Sequence, residues 1–227
     1  MFIPRHPVVE NQFCSYGAQT GTSTAGVGGV VCYAGTVVYL DGTATNEEPI
    51  VYKMAYNATP YVPFGFAMQK VKTGYHQVHP TGYMMPGDLG SSDVIAQPDY
   101  DANGNIQGTK EIPLGVAHLG IWDTVHYTCL KTSSSLVSTP TAAIIPGQAL
   151  YAAADEGKVT NSTTEADGTT TDDTGDIGTG DRVGPAVIGS DHSLAQVAVV
   201  VKGASIAKAA ANINNTTLYP IRIKLMV

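Results

Sequence analysis

Outside residues 204–213, no stretch of this chain holds for long the 3.6-residue hydrophobic period that an amphipathic helix requires. What recurs instead is the two-residue alternation of a strand. In the closing PIRIKLMV, Ile221, Ile223 and Leu225 fall on one face, with Arg222 and Lys224 on the other. Runs rich in β-branched and aromatic side chains predict further strands at 30–40 (VVCYAGTVVYL, closed by the turn pair Asp41-Gly42), 50–56, 62–68, 75–79, 113–119, 124–130, 148–153, 183–188 and 194–201. The Ala-rich ASIAKAAANI at 204–213 supplies at most one short helix, because Ala costs least in a helical conformation. The expected fold is therefore mainly β, a compact β-barrel or β-sandwich with long loops.

Composition agrees. Only 14% of the 227 residues are charged, against about a quarter in an average globular chain, while Gly (25) and Pro (13) punctuate the sequence as short strands and tight turns require. The chain divides into an extended N-terminal arm at 1–29, a β domain at 30–203, and a short helix plus C-terminal strand at 204–227. Within the β domain, residues 161–181 (NSTTEADGTTTDDTGDIGTGD) hold six acids and seven Thr, with Ala166 and Ile177 as the only apolar side chains. Such a run cannot bury enough surface to offset its ordering entropy, so a flexible, exposed acidic loop is expected, mobile or held by a neighbouring subunit.

An internal repeat runs through the β domain. Ala34-Gly35-Thr36-Val37-Val38-Tyr39 is answered by Pro146-Gly147-Gln148-Ala149-Leu150-Tyr151, with a further Gly soon after each, at Gly42 and Gly157. Small-residue segments built around Gly recur at Pro63–Ala67, Pro113–Ala117 and Val183–Val187. A Gly inside a strand marks a bulge or a close approach of another backbone.

The formal charge of −7 and the absence of a basic cluster in the sequence argue against nucleic-acid binding. No run approaches the roughly 20 apolar residues that span a bilayer, so no membrane partner is expected. The N-terminal MFIPRHPVVENQ carries two prolines and an acid where a signal peptide would be apolar, which points to synthesis in a cytosol. Cys14, Cys32 and Cys129 are odd in number and have no CxxC spacing, and read as reduced, small apolar side chains.

Catalytic signatures are missing: there is no GxSxG elbow, HExxH pair, Walker loop or kinase motif, and no enzyme activity or cofactor is expected. Ser190, Asp191 and His192 are adjacent, whereas a hydrolase triad converges from separate segments, so a turn is the better reading. His76, His79, His118 and His126 lack the ligand spacing of a zinc site. Asp99, Asp101 and Asn103, in DYDANGNI, match the first positions of a calcium loop, but Lys110 stands where the bidentate acid belongs, and Asn103-Gly104 reads independently as a tight turn. Trp122, in Gly120-Ile121-Trp122-Asp123, reads as a turn residue, either an interface anchor or the cap of a core edge.

Taken together, AGTVVYLDG, PFGFA, PLGVA with DTVHYTCL, PGQALYAAADEGKVT, the VGPAVIG region and the closing strand resemble the tailed-bacteriophage capsid cement (head decoration) proteins. In that family a PG-x-x-LY strand leads to a G-K-V-T turn, and a V-G-x-A strand precedes the last sheet strands. Here Pro146 to Thr160, Arg182 to Ile188 and Gln196 to Val201 fit that pattern. The resemblance covers about residues 27–203; the runs at 80–112 and 161–181 and the tail at 204–227 depart from it. It implies a structural virion protein on the outer surface of an icosahedral head. There it would bind the major capsid protein, clamp neighbouring capsomers, and self-associate as a trimer or dimer. The alternatives are a tail-tube or fibre-associated β protein and a host-surface carbohydrate-binding module using Trp122 and surface tyrosines. On the cement reading, the arm 1–29 and the tail after residue 203 reach neighbouring subunits by strand addition. The interface candidates are then Phe2, Ile3, Phe13, Trp122, Ile221, Ile223 and Leu225.

Overall fold

The computed structural model describes residues 2–5, 11–20, 30–42, 49–54, 62–73, 93–96, 98–128, 142–153, 157–161, 187–188, 193–194 and 196–227. Its strands are β1 (Phe2–Pro4), β2 (Asn11–Tyr16), β3 (Gln19–Thr20), β4 (Val30–Cys32), β5 (Val37–Leu40), β6 (Ile50–Lys53) and β7 (Pro63–Ala67). Then come β8 (Lys70–Thr73), β9 (Asp93–Ala96), β10 (Pro98–Tyr100), β11 (Ile106–Thr109), β12 (Ile112–Ala117), β13 (Ile121–Thr124) and β14 (Tyr127–Thr128). The series closes with β15 (Ala149–Ala152), β16 (Val159–Thr160), β17 (Val187–Ile188), β18 (Ser193–Leu194), β19 (Gln196–Lys202), the helix α1 (Ile206–Ile213) and β20 (Ile221–Leu225). The fold is mainly β, with one short helix among the described residues. The expected strand at 75–79 and nearly all of the acidic run lie outside them.

Two bodies organise the strands. A seven-stranded sheet runs β1-β13-β20-β19-β15-β16-β14, and a closed five-stranded barrel runs β12-β2-β6-β5-β7. The PIRIKLMV alternation becomes β20, antiparallel to β13 on one side and to β19 on the other. Its Ile221, Ile223 and Leu225 are buried, each a gain of about 1.5–3 kcal/mol. They join Phe2, Trp122, Leu150, Val197 and Val200 in one apolar cluster. Alternation also splits the barrel strands: Val37, Phe66 and Ala117 pack into this sheet cluster. Their neighbours Val38, Ala67 and Val116 join Cys14, Tyr16, Val51 and Leu114 in a second cluster.

That second cluster is extended by Val31, Val71, Val94 and Ala96 of the three-stranded sheet β4-β8-β9. Burial pushes the Cys14 thiol up to about 11 and the Cys32 thiol up to about 12. Both stay neutral at physiological pH and pack as small apolar groups, free of any disulfide. Cys129 lies outside the described residues.

The described residues of 1–29 pair within the fold. β1 closes one edge of the large sheet against β13, with Phe2 opposite Thr124. β2 lies inside the barrel, antiparallel to β12 and parallel to β6. Low charge suggested a poor core for 1–29, but Phe2, Cys14 and Tyr16 sit at inward positions and are fully or nearly buried. The tail after 203 is likewise integral. Ala209 of α1 enters the sheet cluster, and Asn212 is anchored through its Nδ2, which donates to the Val125 carbonyl (2.9 Å).

Two predicted strands break where hydrogen bonding prefers a turn. The 30–40 run bends at Tyr33–Thr36, where the Thr36 N–H donates to the Tyr33 carbonyl at 3.1 Å. The 124–130 run is interrupted because the Thr124 hydroxyl accepts from the His126 N–H (3.0 Å), and Trp122 upstream is strand rather than turn. The repeat is visible as two turn-plus-strand units leading into β5 and β15, one in each body. The Gly-centred segments β7 and β12 pair with each other, Val116 opposite Ala67. A side chain at Gly65 would reach the Ala117 carbonyl at 2.9 Å, which is why that strand needs glycine.

Candidate interface

Strand alternation divides the seven interface residues expected from the sequence. Phe2, Trp122, Ile221, Ile223 and Leu225 are all buried on the inner face of the large sheet, which corrects their assignment as contact residues. The reason is register: Trp122 stands opposite Ile223, and Ile223 opposite Val200, so one face collects these buried apolar side chains. The Trp122 ring, 1% exposed, stacks on Phe2 with centroids 4.4 Å apart and planes 6° apart. Its Nε1 donates to the Leu119 carbonyl at 3.0 Å, so the indole has no polar group left for a partner. Ile3, half-buried, sits on the outer face opposite Asp123. Phe13 is 79% exposed on the outside of the barrel, beside Gly115 of the paired strand.

The outer face of the large sheet carries the charge. Register lines up Ile3, Asp123, Arg222 and Lys202 in one row, and Ile121, Lys224, Val199 and Ala149 in the next. Asp123 is buried and accepts from Arg5 Nε at 2.7 Å, from Arg222 Nε at 2.8 Å and from a second Arg222 nitrogen at 3.3 Å. Burial alone would raise its carboxyl. The hydrogen bonds and charges of Arg222 and Arg5 outweigh that and hold it below the usual carboxylate range. Reciprocally, Asp123 raises Arg222. Lys202 and Lys224 are exposed, as are Val201 and Met226 nearby. At the end of the sheet, Ile144 and Ala204 exchange hydrogen bonds of 3.0 and 2.9 Å and hold the exposed Ile145 alongside residues 201–203.

The calcium candidate is a hairpin turn between β10 and β11. Asp101 accepts from the backbone N–H of Asn105 (2.8 Å) and of Asn103 (2.9 Å), and from Asn105 Nδ2 (3.3 Å). The Asn105 N–H first among these bonds holds the Asp101 carboxyl below its ordinary value. Asp99 accepts from Gln107 Nε2 at 3.1 Å, and Asn103 is exposed. The two carboxylates thus serve the turn. Among the described residues no three His, Cys, Asp or Glu side chains converge as a metal site would need.

Histidines pack rather than gather. His118 Nδ1 donates to the Phe64 carbonyl at 2.9 Å and the ring meets Phe64 edge-on, while His126 Nε2 lies 3.1 Å from the Thr36 hydroxyl and the ring stacks on Tyr33. His76, His79 and the run Ser190 to His192 lie outside the described residues. No helix among the described residues is long and apolar enough to cross a membrane. No family model matches the chain, and searches of curated proteins and of solved structures return no match.

Sequence reasoning missed the outer sheet face. Its cations come from three separate segments, Arg5, Lys202 and the Arg222/Lys224 pair of β20, and form no basic run. The one available signal was the Ile/Arg/Ile/Lys alternation of β20, which places two cations on one face.

Proposed function

We propose that this chain is a capsid cement protein. It binds the outer surface of an icosahedral phage head through the major capsid protein and stabilises contacts between neighbouring capsomers, with no enzyme activity. One observation carries the reading: two of the segments that resemble the decoration family, AGTVVY and PGQALY with its GKVT turn, lock the two bodies together. The GKVT turn following PGQALY brings Gly157, at a φ of +64°, against the AGTVVY segment. The Gly157 carbonyl accepts from the Val37 N–H at 2.7 Å, and a side chain there would lie 2.6 Å from the Thr36 methyl and 2.7 Å from the Val37 carbonyl. These two motifs therefore form a joint of the β scaffold. Such a scaffold suits a clamp whose many copies multiply modest contacts on one lattice.

The test is to mix the purified chain with expanded, undecorated heads and image them by electron microscopy. Added density at regular lattice positions is expected. Bare heads, with the protein found along tails or fibres, would overturn the cement role and favour the tail-associated alternative.

A further inference from the structure

We propose that the outer face of the seven-stranded sheet is a self-association surface, and that its occupant is a second copy of this chain presenting the acidic run 161–181. Four cations (Arg5, Lys202, Arg222, Lys224) and one acid (Asp123) occupy this face, so it carries +3. The whole chain carries −7, which leaves −10 on the remainder, and a second copy is therefore an acidic partner. The densest part of that negative charge is 161–181, with Glu165, Asp167, Asp172, Asp173, Asp176 and Asp181 and no Lys or Arg.

The face is also shaped for an extended segment. Four strands, β13, β20, β19 and β15, set about 5 Å apart, give a platform roughly 15 Å across, while the twelve residues 165–176 can span about 36–40 Å. Half-buried Ile121 and Val199 form an apolar floor between the cations. Asp123 already engages the guanidinium groups of Arg5 and Arg222, which leaves the ammonium groups of Lys202 and Lys224 as the outward charges. Lys202, Lys224, Val201 and Met226 are exposed, which leaves this face open to a second molecule. Each copy both gives and receives, so two copies can satisfy each other by reciprocal exchange.

Analytical ultracentrifugation of the full chain tests this without capsids, so its outcome is separate from that of head binding. In about 0.1 M NaCl, where charges act over about 10 Å, the mass is expected to rise with concentration above the 23.6 kDa monomer, and in about 1 M NaCl to return to it. The double variant Lys202→Glu/Lys224→Glu should dissociate at least about tenfold more readily, and so should Asp172→Lys/Asp173→Lys. Mixing these two variants should restore association, because the reversed face then meets the reversed segment. A monomer at every concentration in low salt, association untouched by either reversal, or no rescue in the mixture would each overturn the proposal.

Discussion

The two faces of the seven-stranded sheet are made by adjacent residues of the same strands and hold opposite chemistry. On the inner face Trp122, Ile223 and Val200 stand in one row and are buried together with Phe2. One residue along, Asp123, Arg222 and Lys202 stand in the next row on the outer face, with Arg5 closing the ion pair from the N-terminal side. The difference teaches how a chain with few charges places them. A single register decides both rows, and slipping it by one residue would put every cation into the core.

The inner face should dominate stability. Trp122→Ala removes the ring stacked on Phe2 and is expected to cost about 3–5 kcal/mol in urea denaturation; a loss below about 1 kcal/mol would mean that the inner row is not the core. Next comes the joint between sheet and barrel. Gly157→Ala combines a left-handed backbone with contacts to Thr36 and the Val37 carbonyl, and is expected to cost about 2–3 kcal/mol while keeping a single cooperative transition. Two separated transitions would show that the bodies unfold independently.

The outer face should matter less and reveal itself through pH. Because the folded carboxyl of Asp123 sits below its ordinary value, its contribution is complete above about pH 4 and is lost as pH falls through the folded value. Asp123→Asn should therefore cost about 1–2 kcal/mol at neutral pH and flatten the acid limb of a stability profile below about pH 4. An unchanged acid limb would show that the Arg5 and Arg222 pairing contributes nothing. Smallest of all, Phe13→Ser on the barrel exterior should shift stability by less than about 0.5 kcal/mol while weakening head binding about tenfold. Full head binding by this variant would remove Phe13 from the interface.

Much of the architecture was legible in local pattern. The alternation of β20, the small helix near 204–213 and the segments that became β7, β12, β15 and β19 all declare themselves through spacing of apolar side chains. Where the described parts of 1–29 and the C-terminal strand insert was not legible, because low charge and short apolar runs say nothing about which neighbour a strand pairs with. Phe2 looked like an exposed anchor, yet it is the residue on which Trp122 stacks from 120 positions away. Only the exposure of Phe13 and the outer position of Ile3 agree with the contact role expected for them.

By itself the sequence determined that this chain is a β protein, which residues of each strand share a face, and where glycine must turn the backbone. These are properties of a residue and its near neighbours, and the pleat of a strand enforces them wherever it lies. Tertiary structure alone decided which face is the interior, that β1 and β20 belong to one sheet, and that Arg5, Lys202, Arg222 and Lys224 share one surface with Asp123. Those outcomes depend on pairing between strands distant in the chain, and that pairing is set by burying the most apolar surface at once rather than by any local preference.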